Sequence, residues 1–279
     1  MNIQNALTID VEDYYMVTGF ADRVRFEDWP KFESRVAMST RKVLALLSRY
    51  GVKATFFVLG WVAENDPRLV REIHSEGHEV ACHGYNHRLI YDTTPDEFRE
   101  DIRKSKRILE DISGRPVAGY RAASYSVTKK TLWALDILME EGFLYDSSIF
   151  PIHHDRYGIP DACRFPYEIK RNGGALMEFP PSTLRLLGQN LPVAGGGYLR
   201  LLPSWLTRAA AKKINSKERK PVIFYIHPWE VDEGQPRLKV GSLSAFRHYT
   251  NIKSTSAKLE GLMREFSFRP LSAFLDGNA

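Results

Sequence analysis

Long apolar runs are missing from this chain of 279 residues, and no stretch approaches the roughly 20 residues that cross a bilayer as a helix. A transmembrane segment is therefore excluded, and a soluble protein is expected. The opening MNIQNALTIDVEDYY lacks the basic start, the apolar stretch and the small-residue cleavage site of a signal peptide, which favours the cytoplasm. Cysteine is scarce. Cys82 and Cys163 exclude a disulfide scaffold and leave room for one bridge at most. No dinucleotide fingerprint and no short internal repeat occur. Charge of one sign is not dominant: 39 basic residues face 34 acidic ones for a net charge of +5. The basic residues are dispersed apart from short clusters such as 212–220, and no nucleic-acid reader motif accompanies them, so a solvated face is expected and no nucleic acid partner. Attraction to an anionic polymer, or peripheral association with a membrane surface, is compatible with this charge.

What the chain does have is alternation. Short strand-like runs at 6–10 (ALTID), 53–59 (KATFFVL), 78–83 (HEVACH), 119–124 (GYRAAS), 144–150 (LYDSSIF), 175–179 (ALMEF) and 221–227 (PVIFYIH) stand between helical stretches near 40–49, 67–76, 95–112, 129–141 and 203–214. This rhythm predicts an α/β fold with a parallel sheet, and about seven units favour closure into an irregular (β/α) barrel. Residues 1–230 are expected to form the barrel. Residues 231–279, with turn formers, aromatics and one helical stretch near 256–265, read as an extension of the same domain, too small to stand alone.

The polar residues of interest fall where strands end, which in a parallel barrel is one face. Asp10, Glu12 and Asp13 place three carboxylates within four positions. Burying them without a cation is costly because like charges raise one another's pKa, so a divalent metal, a shared proton or a solvent-facing loop must relieve them. His83 and His87, four apart, would share one face of a helical turn and could reach one ion at about 2.0–2.1 Å. Such a pair alone is often mere surface or core. Joined by a carboxylate from another strand end, it makes a two-histidine, one-carboxylate set with positions left open for water and substrate. His227 ends an apolar strand that Pro228 stops, a rim position suited to a proton donor, the plain alternative being a packed histidine bonded to backbone. Arg121 could hold Asp10 in place and Asp146 could orient a histidine, or either could belong to a structural ion pair.

In this order the pieces resemble the polysaccharide deacetylases of the NodB-homology group, carbohydrate esterase family four, over most of residues 6–230. The family's TFDD motif is matched by Thr8-Ile9-Asp10 with the acids that follow, its HSxxH motif by His83 to His87, its RxPY motif by Arg121 to Tyr125, its fourth motif by the region of Asp146, and its LxH by Tyr225-Ile226-His227. The resemblance implies Asp10 as general base, a following acid with His83 and His87 as metal ligands, and His227 as general acid. Three departures stand out. Val11 and Glu12 displace the second acid, so Glu12 and Asp13 compete for the metal, while Gly84 replaces a serine and Ala123 a proline. The DVEDYY opening, FPIHHDRYGIPDACRFPYE, EFPPST, GGGYLRLLP and FRHYTNI are similar to a narrower bacterial branch linked to exopolysaccharide loci and the exosortase sorting system.

The activity so implied is metal-dependent removal of N-acetyl groups from amino sugars of an exopolysaccharide or its lipid-linked precursor, with zinc suggested by ligand type. Tyr125, Trp229 and the Tyr14–Tyr15 pair are candidate sugar platforms. The nearest rival is a small-molecule amidohydrolase acting on cyclic imides or ureides, which needs the same groups. A non-catalytic polysaccharide-binding protein is the rival from another class, but it would not need acid, base and metal together.

Overall fold

The structure is a computed structural model and describes residues 3–171 and 174–275. QNALTIDV, free of glycine and proline, forms β1 (Gln4–Val11), buried along all but its first residue. The pleat sorts its side chains. Leu7, Ile9 and Val11 enter the main hydrophobic core, whereas Ala6 faces the opposite way, on the side that Thr8 and Asp10 share.

After β1 the chain runs through α1 (Val36–Arg49), β2 (Thr55–Val58), α2 (Gly60–Asn65), α3 (Pro67–Ser75), β3 (Glu79–Cys82), α4 (Pro95–Ser113), β4 (Gly119–Tyr120), α5 (Trp133–Glu140) and β5 (Tyr145–Asp146). It continues with β6 (Tyr167–Arg171), β7 (Gly174–Glu178), β8 (Thr183–Leu186), β9 (Gln189–Pro192), α6 (Gly196–Leu201), α7 (Ser204–Lys213) and β10 (Ile223–Ile226). Last come α8 (Ser242–Tyr249), α9 (Ile252–Glu265) and β11 (Ser267–Arg269). The longest helix shows why the boundaries fall where they do. Thr94 and Glu97 form a capping box around Pro95 at the start of α4, and Gly114, left-handed at φ 66°, ends it.

Seven strands run parallel in the order β10-β1-β2-β3-β4-β5-β7, and β6 adds an antiparallel edge. The α/β fold with a mainly parallel sheet is as expected. Among the described residues the ladder does not close into a full barrel. Instead Ser182, just past β7, bridges to β10: its N–H donates to the Ile223 carbonyl at 3.3 Å, and its Oγ accepts from the Ile223 N–H at 2.9 Å. Inside the curved sheet Ala6, Phe57, Ala81, Tyr145, Phe179 and Ile223 form a second core, plugged by Leu271 and Phe274 beside the beginnings of β2 and β3. Gly119 is required here, since a Cβ would stand 2.0 Å from the Tyr145 ring. This interior is packed, which leaves the opposite end, at the C-terminal ends of the strands, for chemistry.

Several elements differ from the expectation. β4 and β5 are two residues each, although the Arg121 and Ser147 N–H groups just past them still donate to the carbonyls of Cys82 (2.9 Å) and Tyr120 (3.0 Å). The β8–β9 hairpin was not anticipated: its turn holds Leu187 and Gly188, both at positive φ, where asparagine or aspartate before glycine is the usual signal. After residue 230 the chain gives two helices, α8 as well as α9, and β11 pairs with β1 in the main sheet. Cys82 is buried and Cys163 exposed, and both are free.

Candidate active site

Register places the site. Val11, Val58, Cys82, Tyr120, Asp146 and Glu178 lie on one row across the sheet, so Glu12, His83 and Arg121 occupy the next row toward the C-terminal face. Asp10 and Glu12 are two apart and share a face, while Asp13 is sent the other way. Asp13 is used up elsewhere. Its Oδ2 accepts from the N–H groups of Arg35 (2.7 Å) and Val36 (3.1 Å) and from Ser34 Oγ (2.9 Å) at the start of α1, and its Oδ1 accepts from the Tyr14 N–H. An anion at a helix N-terminus is favoured by the exposed N–H groups and the helix dipole. Of the two competing acids the structure thus brings Glu12, and not Asp13, to the histidines.

Glu12, His83 and His87 present one ligand atom each within 4.8 Å of one another. Nδ1 of His83 is 2.8 Å from the Arg121 carbonyl, which fixes that nitrogen as the donor and turns Nε2 inward. Burial pushes His83 down to about 4, leaving it neutral as a ligand must be. The segment from His83 to His87 is not the helical turn expected. Left-handed Gly84 (φ 73°) and His87 (φ 57°) fold it back, a conformation uncommon for histidine, and bring the two rings to 5.4 Å. Oε1 of Glu12 accepts from Trp229 Nε1 at 3.1 Å. Oε2 lies 2.9 Å from His87 Nε2 but makes no well-formed hydrogen bond, although it is buried. Burial alone would raise Glu12, yet His87, with His227 and His83, holds it well below the usual carboxylate range. A buried carboxylate oxygen without a hydrogen, beside two imidazole nitrogens, fits a divalent cation.

On one side of this cluster lies Asp10, 3% exposed, whose Oδ1 accepts from Arg121 Nη1 at 2.6 Å. Arg121 is wholly buried and uses four of its five donors: Nη1 also reaches Thr8 Oγ1 (2.7 Å), Nε the Ser147 carbonyl (3.1 Å) and Nη2 Ser147 Oγ (2.7 Å). Across from it stands His227, with Nε2 3.9 Å from Asp10 Oδ2 and 3.7 Å from Glu12 Oε1. The Glu230 Oε2 accepts from the His227 N–H and lies 3.0 Å from its Nδ1. Burial lowers the imidazole pKa, but Glu230 first, then Glu12 and Asp10, together outweigh it and raise His227 to about 9. Glu230 is in turn bound by Arg200 Nε at 2.6 Å, and the remaining Arg200 donors go to the carbonyls of Arg247, His248 and Thr250.

Sequence reasoning missed Glu230 and Arg200. The only signal for Glu230 was its place three residues after His227 in HPWE, a spacing that a 3-10 turn closes. Asp146, expected to orient a histidine, reaches neither ring, since His83 is held by a carbonyl and His227 by Glu230. It belongs to a buried carboxyl pair with Glu178, behind Ser147 and Ser148, where burial raises both groups, Asp146 to about 6. Tyr14 and Tyr15 are core residues rather than sugar platforms, and Trp229 serves as donor to Glu12. Tyr125 lines the cavity above the site and its buried hydroxyl has no hydrogen-bond partner.

Comparison with known proteins divides the chain in two. Residues 24–138 match the polysaccharide deacetylase family model, and residues 147–276 match a domain family of unknown function, DUF3473. His83, His87 and Arg121 fall in the first segment, His227, Glu230 and Arg200 in the second, and Asp10 and Glu12 precede both. A peptidoglycan-N-acetylglucosamine deacetylase of Bacillus cereus is 39% identical over 89 residues, 32% of this chain and 30% of that protein. The chain spans less than half the length of the first curated relatives it matches. Among solved structures, a candidate polysaccharide deacetylase from Mycobacterium smegmatis superposes with TM-score 0.60 at 23% identity, covering 98% of this chain and 88% of that one. An allantoinase superposes with TM-score 0.62 at 15% identity, covering 98% and 89%. These two likenesses speak to the fold.

Proposed function

We propose that the chain is a metal-dependent N-deacetylase of amino-sugar polymers or their precursors, with Glu12, His83 and His87 as metal ligands. The observation that carries this reading is one constellation: a three-ligand cluster flanked by the Arg121-held Asp10 and the Glu230-held His227. A binding protein would have no use for it. The match of residues 24–138 and the Bacillus cereus relative support the sugar-linked amide as substrate, and the resemblance of the whole chain to the exopolysaccharide branch supports an exopolysaccharide or its lipid-linked precursor.

A divalent metal, zinc by ligand type, would polarise the amide carbonyl and acidify a water when bound. The chain's own residues do the rest. Asp10 has Oδ1 pinned by Arg121, which leaves Oδ2 to take the proton of the attacking water. His227 carries a proton at neutral pH and offers it from Nε2, because Nδ1 is held by Glu230, so the departing amine leaves protonated. The Tyr125 N–H is committed to the Ala122 carbonyl and so is not free to stabilise the oxyanion. Residues 231–279 are part of the same unit in this reading, since Arg200 ties the C-terminal end of α8 to the acid side of the site.

Acetate release from N-acetylglucosamine oligomers by metal-loaded protein tests the proposal, with Asp10→Asn as control. Release that disappears in the variant supports it. Absence of release with metal bound, together with turnover of a cyclic ureide, would move the assignment to a small-molecule amidohydrolase.

A further inference from the structure

A cavity of about 420 Å³ opens above the cluster, and its wall is built largely from the segment of unknown function. Its two acids, Asp10 and Glu12, lie at the floor and are engaged there by Arg121 and by His87 and Trp229. The wall is cationic. Arg156, from the loop after β5, and Arg247, from α8, both line it and both are exposed. Neither guanidinium has a carboxylate within ion-pair distance among the described residues; Asp155, the acid beside them, lies 2.9 Å from Nδ1 of His154, which also accepts from the Arg156 N–H at 3.2 Å. Burial lowers the His154 imidazole first, Asp155 opposes, and Arg247 and Arg156 lower it further, so both cations lie near His154, itself a lining residue. Arg200, by contrast, is spent on Glu230 and three carbonyls.

A neutral N-acetyl sugar has no use for two unpaired cations. Held in a concave mouth, they focus a positive potential on whatever enters, and the planar fork of arginine fits carboxylate and phosphate alike. We infer that Arg156 and Arg247 form an anion-binding subsite, so that the sugar to be deacetylated is presented beside a carboxylate or phosphate and the substrate is an acidic amino-sugar glycan. This rests on the deacetylase reading for its chemistry but not for its binding.

The test uses the full-length metal-loaded protein and three probes: neutral N-acetylglucosamine oligomers, oligomers in which N-acetylglucosamine alternates with glucuronate, and N-acetylglucosamine oligomers ending in a 1-phosphate. The ratio of kcat/KM for an acidic probe over the neutral one should exceed unity and fall about tenfold in R156Q/R247Q, chiefly through KM, while R156K/R247K keeps most of it. Which acidic probe gains tells carboxylate from phosphate. A ratio of one in the parent protein, or equal loss on all probes in the variant, overturns the subsite. Calorimetric binding of the acidic probes to Asp10→Asn protein separates the two claims. Binding that R156Q/R247Q weakens upholds the subsite even if no oligomer releases acetate, a result that would sink the deacetylase reading alone, and binding indifferent to the arginines overturns the subsite.

Discussion

Glu230 governs how long His227 keeps its proton. A histidine raised to about 9 stays charged through neutrality and releases the proton as pH climbs past that value, so a rate that depends on protonated His227 should fall on its alkaline side near pH 9. In Glu230→Gln the imidazole loses its strongest support and reverts toward its ordinary 6.5. The alkaline limb of the kcat profile should then move down by one or more pH units, with metal content unchanged. An unmoved limb would show that another group sets it. Legibility in the sequence follows the same distinction between residues. His83, His87, Asp10, Arg121 and His227 were readable because each is a chemically marked side chain at a strand end. Glu230 was not, since a glutamate three residues past a histidine looks like any surface acid until Arg200, 30 positions away, is seen to bury it. Strand alternation could have favoured Glu12 over Asp13, because residues two apart share a face, but the end of β1 could not be located to within one residue from sequence.

Helix α1 begins on Asp13. Four donors converge on that carboxylate, two of them the Arg35 and Val36 N–H groups where the helix starts, so Asp13→Ala should cost about 2 kcal/mol of stability in urea unfolding. It should also retain one bound metal per chain after dialysis. Glu12→Gln should do the reverse, losing metal while α1 stays intact, and equal metal loss in both variants would return the choice of ligand to open question. At this level the long βα units were legible, α4 above all, because Pro95, the Thr94–Glu97 box and Gly114 mark its ends and Phe98, Ile102 and Leu109 its buried face. The β8–β9 hairpin was not, because Leu187 occupies a position that normally advertises itself with asparagine or aspartate. Nor was α8, which buries only His248 and so shows no apolar face for periodicity to find.

The buried Asp146–Glu178 pair sets a pH dependence for the entire molecule. Both groups have folded pKa values above the ordinary ones, so between the unfolded and folded values the native state binds more protons than the unfolded chain. Stability from this pair is full below about pH 4 and declines as pH rises through 6 and beyond. Glu178→Gln preserves an acceptor for the Ile149 N–H and can donate to Asp146, so its Tm should fall less between pH 5 and pH 8 than that of the parent. A parallel pair of curves would mean that the carboxyls do not share a proton.

Whether the chain beyond residue 230 is dispensable is decided by where the contacts of residues 231–275 go. β11 pairs with β1 along Gln4 to Ala6, Leu271 and Phe274 plug the inner core, and Leu259 and Leu262 are buried against the outer one. The carbonyls of Arg247, His248 and Thr250 also take three of the hydrogen bonds of Arg200, the group that secures Glu230. Ending the chain at residue 230 would strip acceptors from a buried guanidinium and open both cores, and each loss costs several kcal/mol against a total stability of about 5–15 kcal/mol. The shortened protein should therefore fail to unfold cooperatively, with a broad, low-amplitude thermal transition by near-UV circular dichroism. A sharp transition within a few degrees of the parent would show that residues 1–230 fold without their C-terminal partner.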